Sequence, residues 1–131
     1  MNYCLDTNII IAFLRDEQKI VSAIQENFSR SIFCVTPITL CELYFGAYLS
    51  SHVIEEIEKV DLLLNTLSII EFTSEACRDF GETSVRLQKQ GEMVEDSDVM
   101  IASIAKAHGC TFVTRNKKHF ENIRGLKVEE W

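Results

Sequence analysis

The chain has 131 residues, 47% of them hydrophobic, and a formal net charge of −7 at pH 7. That length supports one domain spanning residues 1–131, with a single sizeable core and no room for a separate ligand-binding domain. Met1-Asn2 leads straight into strand-like residues without a basic segment or cleavage site, and the longest apolar stretch, Ile9 to Leu14, is far below membrane-spanning length. The sequence therefore reads as a cytoplasmic protein with no membrane partner.

Taken in chain order, short apolar runs at Tyr3–Leu5, Ile32–Val35, Ser68–Phe72, Thr111–Val113 and Leu126–Val128 predict strands, and helical patterns fill the gaps between them. Asp6 stands where the first strand meets the apolar helical run Ile9-Ile10-Ile11. Thr36-Pro37 is a helix start, with threonine as N-cap and proline where a missing N–H costs nothing. Glu42 then falls in the second turn, on a stripe with Ile38, Phe45 and Leu49. Val53, Ile57, Val60, Leu64 and Leu67 recur at helical spacing, and Ala76, Phe80 and Leu87 mark a further helix ending near Gln90-Gly91. A last long helix runs from about Asp96-Ser97 to His108-Gly109, where glycine suits a left-handed C-cap. Asp98 shares a face of that helix with Ile101, Ala102 and Ala105. Strands alternating with helices predict a mostly parallel α/β sheet of about five strands, covered on both faces.

Ligands of such sheets bind beyond the carboxyl ends of the strands. Asp6 follows the first strand, Glu42 the second and Asn116 the fourth, while Asp98 opens the helix that precedes the fourth. A lone carboxylate buried among apolar residues costs several kcal/mol or becomes protonated, so three of them on one rim point to a shared cation. An all-oxygen set fits a hard divalent ion such as Mg²⁺. His52, His108 and His119 show no metal-ligand spacing and read as surface or capping residues, His119 being the exception to watch because it lies in a basic segment. The five cysteines, an odd number without CxxC spacing, read as core fillers. Residues 115–127 hold five basic residues and one acidic residue, a net +4 within an acidic chain, which suits a phosphate backbone.

The motifs Leu5-Asp6-Thr7-Asn8, Thr39-Leu40-Cys41-Glu42-Leu43, Asp98-Val99-Met100-Ile101-Ala102, Phe112-Val113-Thr114-Arg115-Asn116 and Lys118-His119-Phe120, in that order, resemble the PIN-domain ribonucleases, and among them the VapC-type toxins of toxin–antitoxin pairs. The closing Gly125-Leu126-Lys127-Val128-Glu129-Glu130-Trp131 looks like the C-terminus of many such toxins. The resemblance implies an α/β/α sandwich with strand order 3-2-1-4-5 and Mg²⁺- or Mn²⁺-dependent cleavage of RNA. It matches Asp6, Glu42 and Asp98 to the metal-binding, catalytic acids and Thr7, Asn8 and Thr114 to supporting polar positions. It also implies a VapB-type antitoxin as protein partner and a homodimer, for which the apolar stripes around residues 38–67 provide a surface.

This sequence departs from the pattern at Asn116, where many relatives carry a fourth acid. An asparagine carbonyl can still ligate, but the lost charge weakens a second ion. Asp96, two residues from Asp98, lies on another helical face and reads as an N-terminal cap or dipole partner, with Glu92 and Glu95 solvated. Arg115, Lys117 and Lys118 adjoin the rim as RNA contacts. A receiver domain would need adjacent acids after the first strand and an aspartate after the third; a haloacid-dehalogenase-like phosphatase would need aspartate where Asn8 stands. The alternative from another class is a non-catalytic PIN-like scaffold that binds RNA or a protein without cutting.

Overall fold

The computed structural model describes residues 1–131. Five strands, β1 (Asn2–Leu5), β2 (Ile32–Val35), β3 (Ser68–Ile69), β4 (Thr111–Thr114) and β5 (Lys127–Glu130), form one parallel sheet in the order β3-β2-β1-β4-β5. Seven helices connect them: α1 (Thr7–Leu14), α2 (Gln18–Asn27), α3 (Pro37–Leu49), α4 (Val53–Leu63), α5 (Ser74–Lys89), α6 (Asp96–Ala107) and α7 (Lys117–Phe120). None is long and apolar enough to cross a membrane.

The three layers follow from the two-residue period of the strands. Tyr3, Leu5, Phe33, Val35 and Val113 face one way and pack with Ile9 and Ile10 of α1, Ile20 of α2, Leu43 of α3 and Val60 and Leu63 of α4. The alternate residues Cys4, Cys34 and Phe112 face the other way, against Ile101, Ala102 and Ala105 of α6 and Phe120 of α7. Both faces are covered, so the central strands read as continuous apolar runs rather than alternating ones. Trp131 returns to the first layer, 5.3 Å from the Tyr3 ring and 6.3 Å from Phe33 between centroids.

Local signals agree at most boundaries. Thr36 caps α3 by accepting from the Thr39 N–H at 3.1 Å, with Pro37 at the first helical position. Gly109 follows the last turn of α6 with φ of 67°, a conformation glycine adopts without a Cβ penalty. The third strand differs from its expected length: only Ser68–Ile69 pairs with β2, at the sheet edge, and both residues are exposed. Beyond Ile69 only the Ile70 N–H reaches β2, donating to the Val35 carbonyl at 3.0 Å, and the Ile70 side chain packs on the core beneath the edge. At the other edge β5 begins one residue later than expected, at Lys127, and runs to Glu130.

Two burial expectations are corrected. The stripe of α3 that carries Glu42 is not its core face: Phe45 and Leu49 are 70% and 76% exposed, and Thr39, Leu43 and Ala47 are the buried residues. Cys4, Cys34 and Cys110 are buried core fillers, but Cys41 and Cys77 lie on the surface, since each sits on the outward face of its helix.

Candidate active site

Strand order reverses between β1 and β4: the chain winds outward from β1 to β2 and β3 on one side, and from β4 to β5 on the other. A crevice opens at such a switch point. Leu5 registers with Val113, and the Asp6 N–H extends the ladder by donating to the Val113 carbonyl at 2.9 Å. Asp6 and Thr114 therefore emerge side by side at the crevice floor.

Asp6 is 7% exposed and is held at both carboxylate oxygens. Oδ1 accepts from the Thr7 N–H at 2.8 Å, which makes Asp6 the N-cap of α1, and Oδ2 accepts from Thr114 Oγ1 at 2.7 Å. Burial pushes this carboxyl above the usual carboxylate range and the neighbouring charge of Asp98 adds to the push, while the hydrogen bonds from Thr114 and Thr7 pull it back. Thr114 Oγ1 also accepts from the Asn116 N–H at 3.0 Å, so one fully buried hydroxyl aligns the acid and the start of α7.

Glu42 reaches the crevice from α3, with its Oε1 accepting from Thr7 Oγ1 at 2.8 Å. The residue is exposed, yet desolvation where the carboxyl meets the crevice raises its pKa, opposed by the Thr7 hydrogen bond and reinforced by Asp98 and Asp6. Asp98 enters from the first turn of α6, its face anchored as expected by Ile101, Ala102 and Ala105, all buried. Its Oδ2 pairs with His119 Nε2 at 2.9 Å.

His119, set apart from the other histidines in the sequence only by its basic segment, stands in the site, although nothing in the sequence assigned it a role there. A lone histidine gives no spacing signal, and its partner lies 21 positions away. The packing that delivers it is clear: Phe120 is buried with its ring centroid 4.8 Å from that of Phe112, which pins α7 to the sheet and turns the preceding histidine toward Asp98. Asp6, Thr7, Asn8, Glu42, Asp98, Asn116, His119 and Phe120 together line a cavity of about 160 Å³. All three expected acids and all four expected supporting residues thus meet at one rim, Thr114 from beneath it.

The remaining expectations sort differently. Arg115 is exposed and forms an ion pair with Glu17, so part of its charge is already compensated. Lys117 and Lys118 are exposed beside the cavity on α7 without an ion-pair partner. Asp96 occupies the first turn of α6, where its charge complements the helix dipole, and Glu95 takes the N-cap position without a side-chain hydrogen bond.

The donor set fits a hard divalent cation. Two carboxyls have raised pKa values because burial and like charge oppose ionisation together, and a bound cation relieves both effects. No three His, Cys, Asp or Glu side chains close on a point as a finished cage. That matches Mg²⁺-type sites, which draw one or two carboxylates from the protein and complete the shell with water and substrate phosphate.

Comparison with known proteins gives a consistent picture. The PIN domain family model matches residues 3–126. Ribonuclease VapC2 of Haemophilus influenzae is 33% identical over 132 residues, covering 100% of this chain and 98% of that protein. The tRNA(fMet)-specific endonuclease VapC of Shigella flexneri is 28% identical over 131 residues, with the same coverage. The chain also superimposes on a protein chain in the crystal structure of VapBC2 from Rickettsia felis bound to a DNA fragment from their promoter, with TM-score 0.94 and 30% identity, covering 100% of this chain and 99% of that one.

Proposed function

The chain belongs to the PIN-domain family, among its VapC ribonucleases, and from that premise we propose that Asp6, Glu42 and Asp98 hold Mg²⁺ or Mn²⁺ at the switch-point cavity for hydrolysis of an RNA phosphodiester. The protein is an endoribonuclease of the toxin–antitoxin class, and enzymes of this family are generally divalent-metal dependent. The observation that carries the site assignment is Asp6 itself, a nearly buried carboxylate held at both oxygens in a cavity where no lysine or arginine lines the wall. A bound divalent cation neutralises charge at the scissile phosphate and acidifies water at neutral pH.

The chain's own residues supply orientation. Thr114 and the Thr7 N–H hold Asp6 in one rotamer, Thr7 Oγ1 steers Glu42, and His119 steers Asp98, so that each acid has a partner fixing its approach. Asn116 presents a neutral oxygen in place of a fourth acid, which favours one tightly held ion. Lys117 and Lys118 bind the RNA backbone at the cavity mouth, and Arg115 contributes when it exchanges Glu17 for phosphate. We assign the activity to the cytoplasm, where RNA substrates are available.

The partner that restrains such an enzyme is a VapB-type antitoxin. Complexes called VapBC account for several of the most similar structures, and a basic segment from a partner can pair with the acids at the rim. An apolar cleft of about 300 Å³ lined by Phe13, Ile24, Phe28 and Phe33 offers it a hydrophobic anchor. Self-association uses the exposed apolar face of α3 and α4, where Phe45, Tyr48, Leu49 and Ile54 are each at least 68% exposed. Light scattering at micromolar concentration should return a dimer mass, and a monomer would withdraw that assignment. The defining experiment is cleavage of RNA by purified protein with Mg²⁺, Mn²⁺ or EDTA. Metal-dependent cutting is expected, whereas binding of RNA without cutting in any metal would favour the scaffold alternative.

A further inference from the structure

A second cleft lies beside the catalytic cavity, with His119 lining both. It lies between the end of α5 and the start of α6, under the connection that runs from Gln90 to Glu95, and encloses about 550 Å³. That is within the range of roughly 300–1,000 Å³ in which proteins hold small ligands. Its floor is apolar: Leu87 and Val99 are 3% and 1% exposed. At its mouth Met93 is 93% exposed, a large flexible apolar side chain left in water where no packing demands it. Ser84, whose hydroxyl is buried without a partner in the fold, lines the same cleft.

The charge of this cleft separates it from the backbone-binding surface. Its polar lining comprises Gln88, Glu92, Glu95, Asp96, Ser84 and the shared His119, with no lysine or arginine. A phosphate is repelled there. A nucleobase is not, since it is flat, largely apolar on its faces, and carries hydrogen-bond donors on its edge that carboxylate and amide oxygens accept. Adenine, cytosine and guanine each present an exocyclic amino group. Uracil's one edge donor is flanked by two carbonyls, which oppose a carboxylate. On the other side of His119, Lys117 and Lys118 offer the positive charge that the backbone needs.

We propose that this cleft is a nucleobase subsite, taking one unstacked amino-bearing base of the RNA next to the cleaved phosphodiester, with Met93 and Val94 against its face and Glu92 and Gln88 at its edge. The proposal rests on the ribonuclease reading above and adds a source of sequence selectivity to it. Unstacked bases splayed into pockets are the usual way proteins read single-stranded RNA. Because His119 lines both cavities, the recognised base is a near neighbour of the scissile bond.

Two measurements test it together. The first compares cleavage of short oligoribonucleotides that differ at one base on either side of the cut, by the wild type and by Met93→Ser and Glu92→Gln, both changes at exposed positions outside the catalytic set. At one flanking position the wild type should prefer an amino-bearing base over uracil by about tenfold in kcat/KM, the low end of what one base-reading contact contributes. Glu92→Gln should flatten that preference by lowering KM for the uracil substrate and raising it for the amino-bearing one, Met93→Ser should raise KM for the amino-bearing substrate, and neither should change Mn²⁺ affinity.

The second measurement follows the methyl resonances of the three methionines, Met1, Met93 and Met100, during titration with the same oligoribonucleotides and with a version lacking the base. Met93 should shift with the amino-bearing base and not with the abasic strand, and Met1 should stay still. RNA cleavage without any Met93 response, and with the variants keeping the wild-type preference, overturns the subsite and leaves the ribonuclease reading intact. A base-dependent Met93 response without cleavage supports the subsite and overturns the catalytic reading. If a basic peptide shifts Met93 and no oligoribonucleotide does, the cleft is a protein-docking site and the proposal is wrong.

Discussion

Thr114→Val is the most informative single change for the geometry of the acids. Valine has nearly the shape of threonine, so the fully buried position stays filled, but Asp6 Oδ2 loses its 2.7 Å donor and the Asn116 N–H loses its acceptor. A hydrogen bond to an ionised group contributes about 1.5–3 kcal/mol, against about 0.5–1.5 kcal/mol for a neutral one. The Thr114 bond favours the carboxylate form, so its loss moves the already raised Asp6 pKa further up. The destabilisation should therefore be about 2 kcal/mol at a pH where Asp6 is ionised and smaller in acid, where Asp6 is protonated and the bond is a neutral one. Urea denaturation of both proteins at the two pH values reads it directly. Equal destabilisation at both would show that the hydroxyl supports packing rather than the Asp6 charge, and no destabilisation would show that the bond is not formed in solution.

Other outcomes follow from the same frame. His119→Ala should cut kcat/KM about 10- to 100-fold, as loss of a ligand-orienting partner does, and raise the metal concentration needed for half-activity, with His119→Gln recovering part of both. An unchanged metal requirement would remove His119 from its positioning role. Lys117→Gln with Lys118→Gln should flatten the salt dependence of RNA binding by about 0.7 in log–log slope per lost phosphate contact, while Arg115→Gln should change it less because that guanidinium is paired with Glu17. A larger effect from Arg115 would reverse the order of importance. Asn116→Asp should strengthen Mn²⁺ binding or raise its stoichiometry in calorimetric titration, and no change would mean that its side chain points away from the acids.

Asp6 was legible in the sequence because an acid between an apolar strand and an apolar helix has no local reason to be there, and the α/β alternation told which end of the sheet it occupied. Glu42 lines the cavity, yet its stripe mates Phe45 and Leu49 are exposed, because helical periodicity alone does not tell a core face from an apolar surface face. Asp98 was legible in both respects, since Ile101, Ala102 and Ala105 are buried beneath it. The role of His119 was hidden because it depends on Phe120 meeting Phe112, a tertiary contact with no short-range signature. The Arg115–Glu17 pair, 98 residues apart in sequence, was hidden for the same reason. The edge strand β3 shrank to two residues because apolar content marks burial, and burial by loops at a sheet edge looks the same as a strand.

The central claim is that Asp6, Glu42 and Asp98 act as one cation site, and Mn²⁺ calorimetry on the wild type, Asp6→Asn, Glu42→Gln and Asp98→Asn, paired with metal-free unfolding across pH, tests it most directly. A carboxyl whose pKa is raised in the fold contributes stability that is present below its unfolded pKa and lost as pH rises through the folded one. The metal-free wild type should therefore lose stability as pH rises above the ordinary carboxylate range, and Mn²⁺ should restore it by mass action. Each variant should remain folded, with a smaller loss across that pH window for Asp6→Asn and Glu42→Gln, and should bind Mn²⁺ at least about tenfold more weakly. Wild-type Mn²⁺ affinity in any two of the three variants would contradict the shared site.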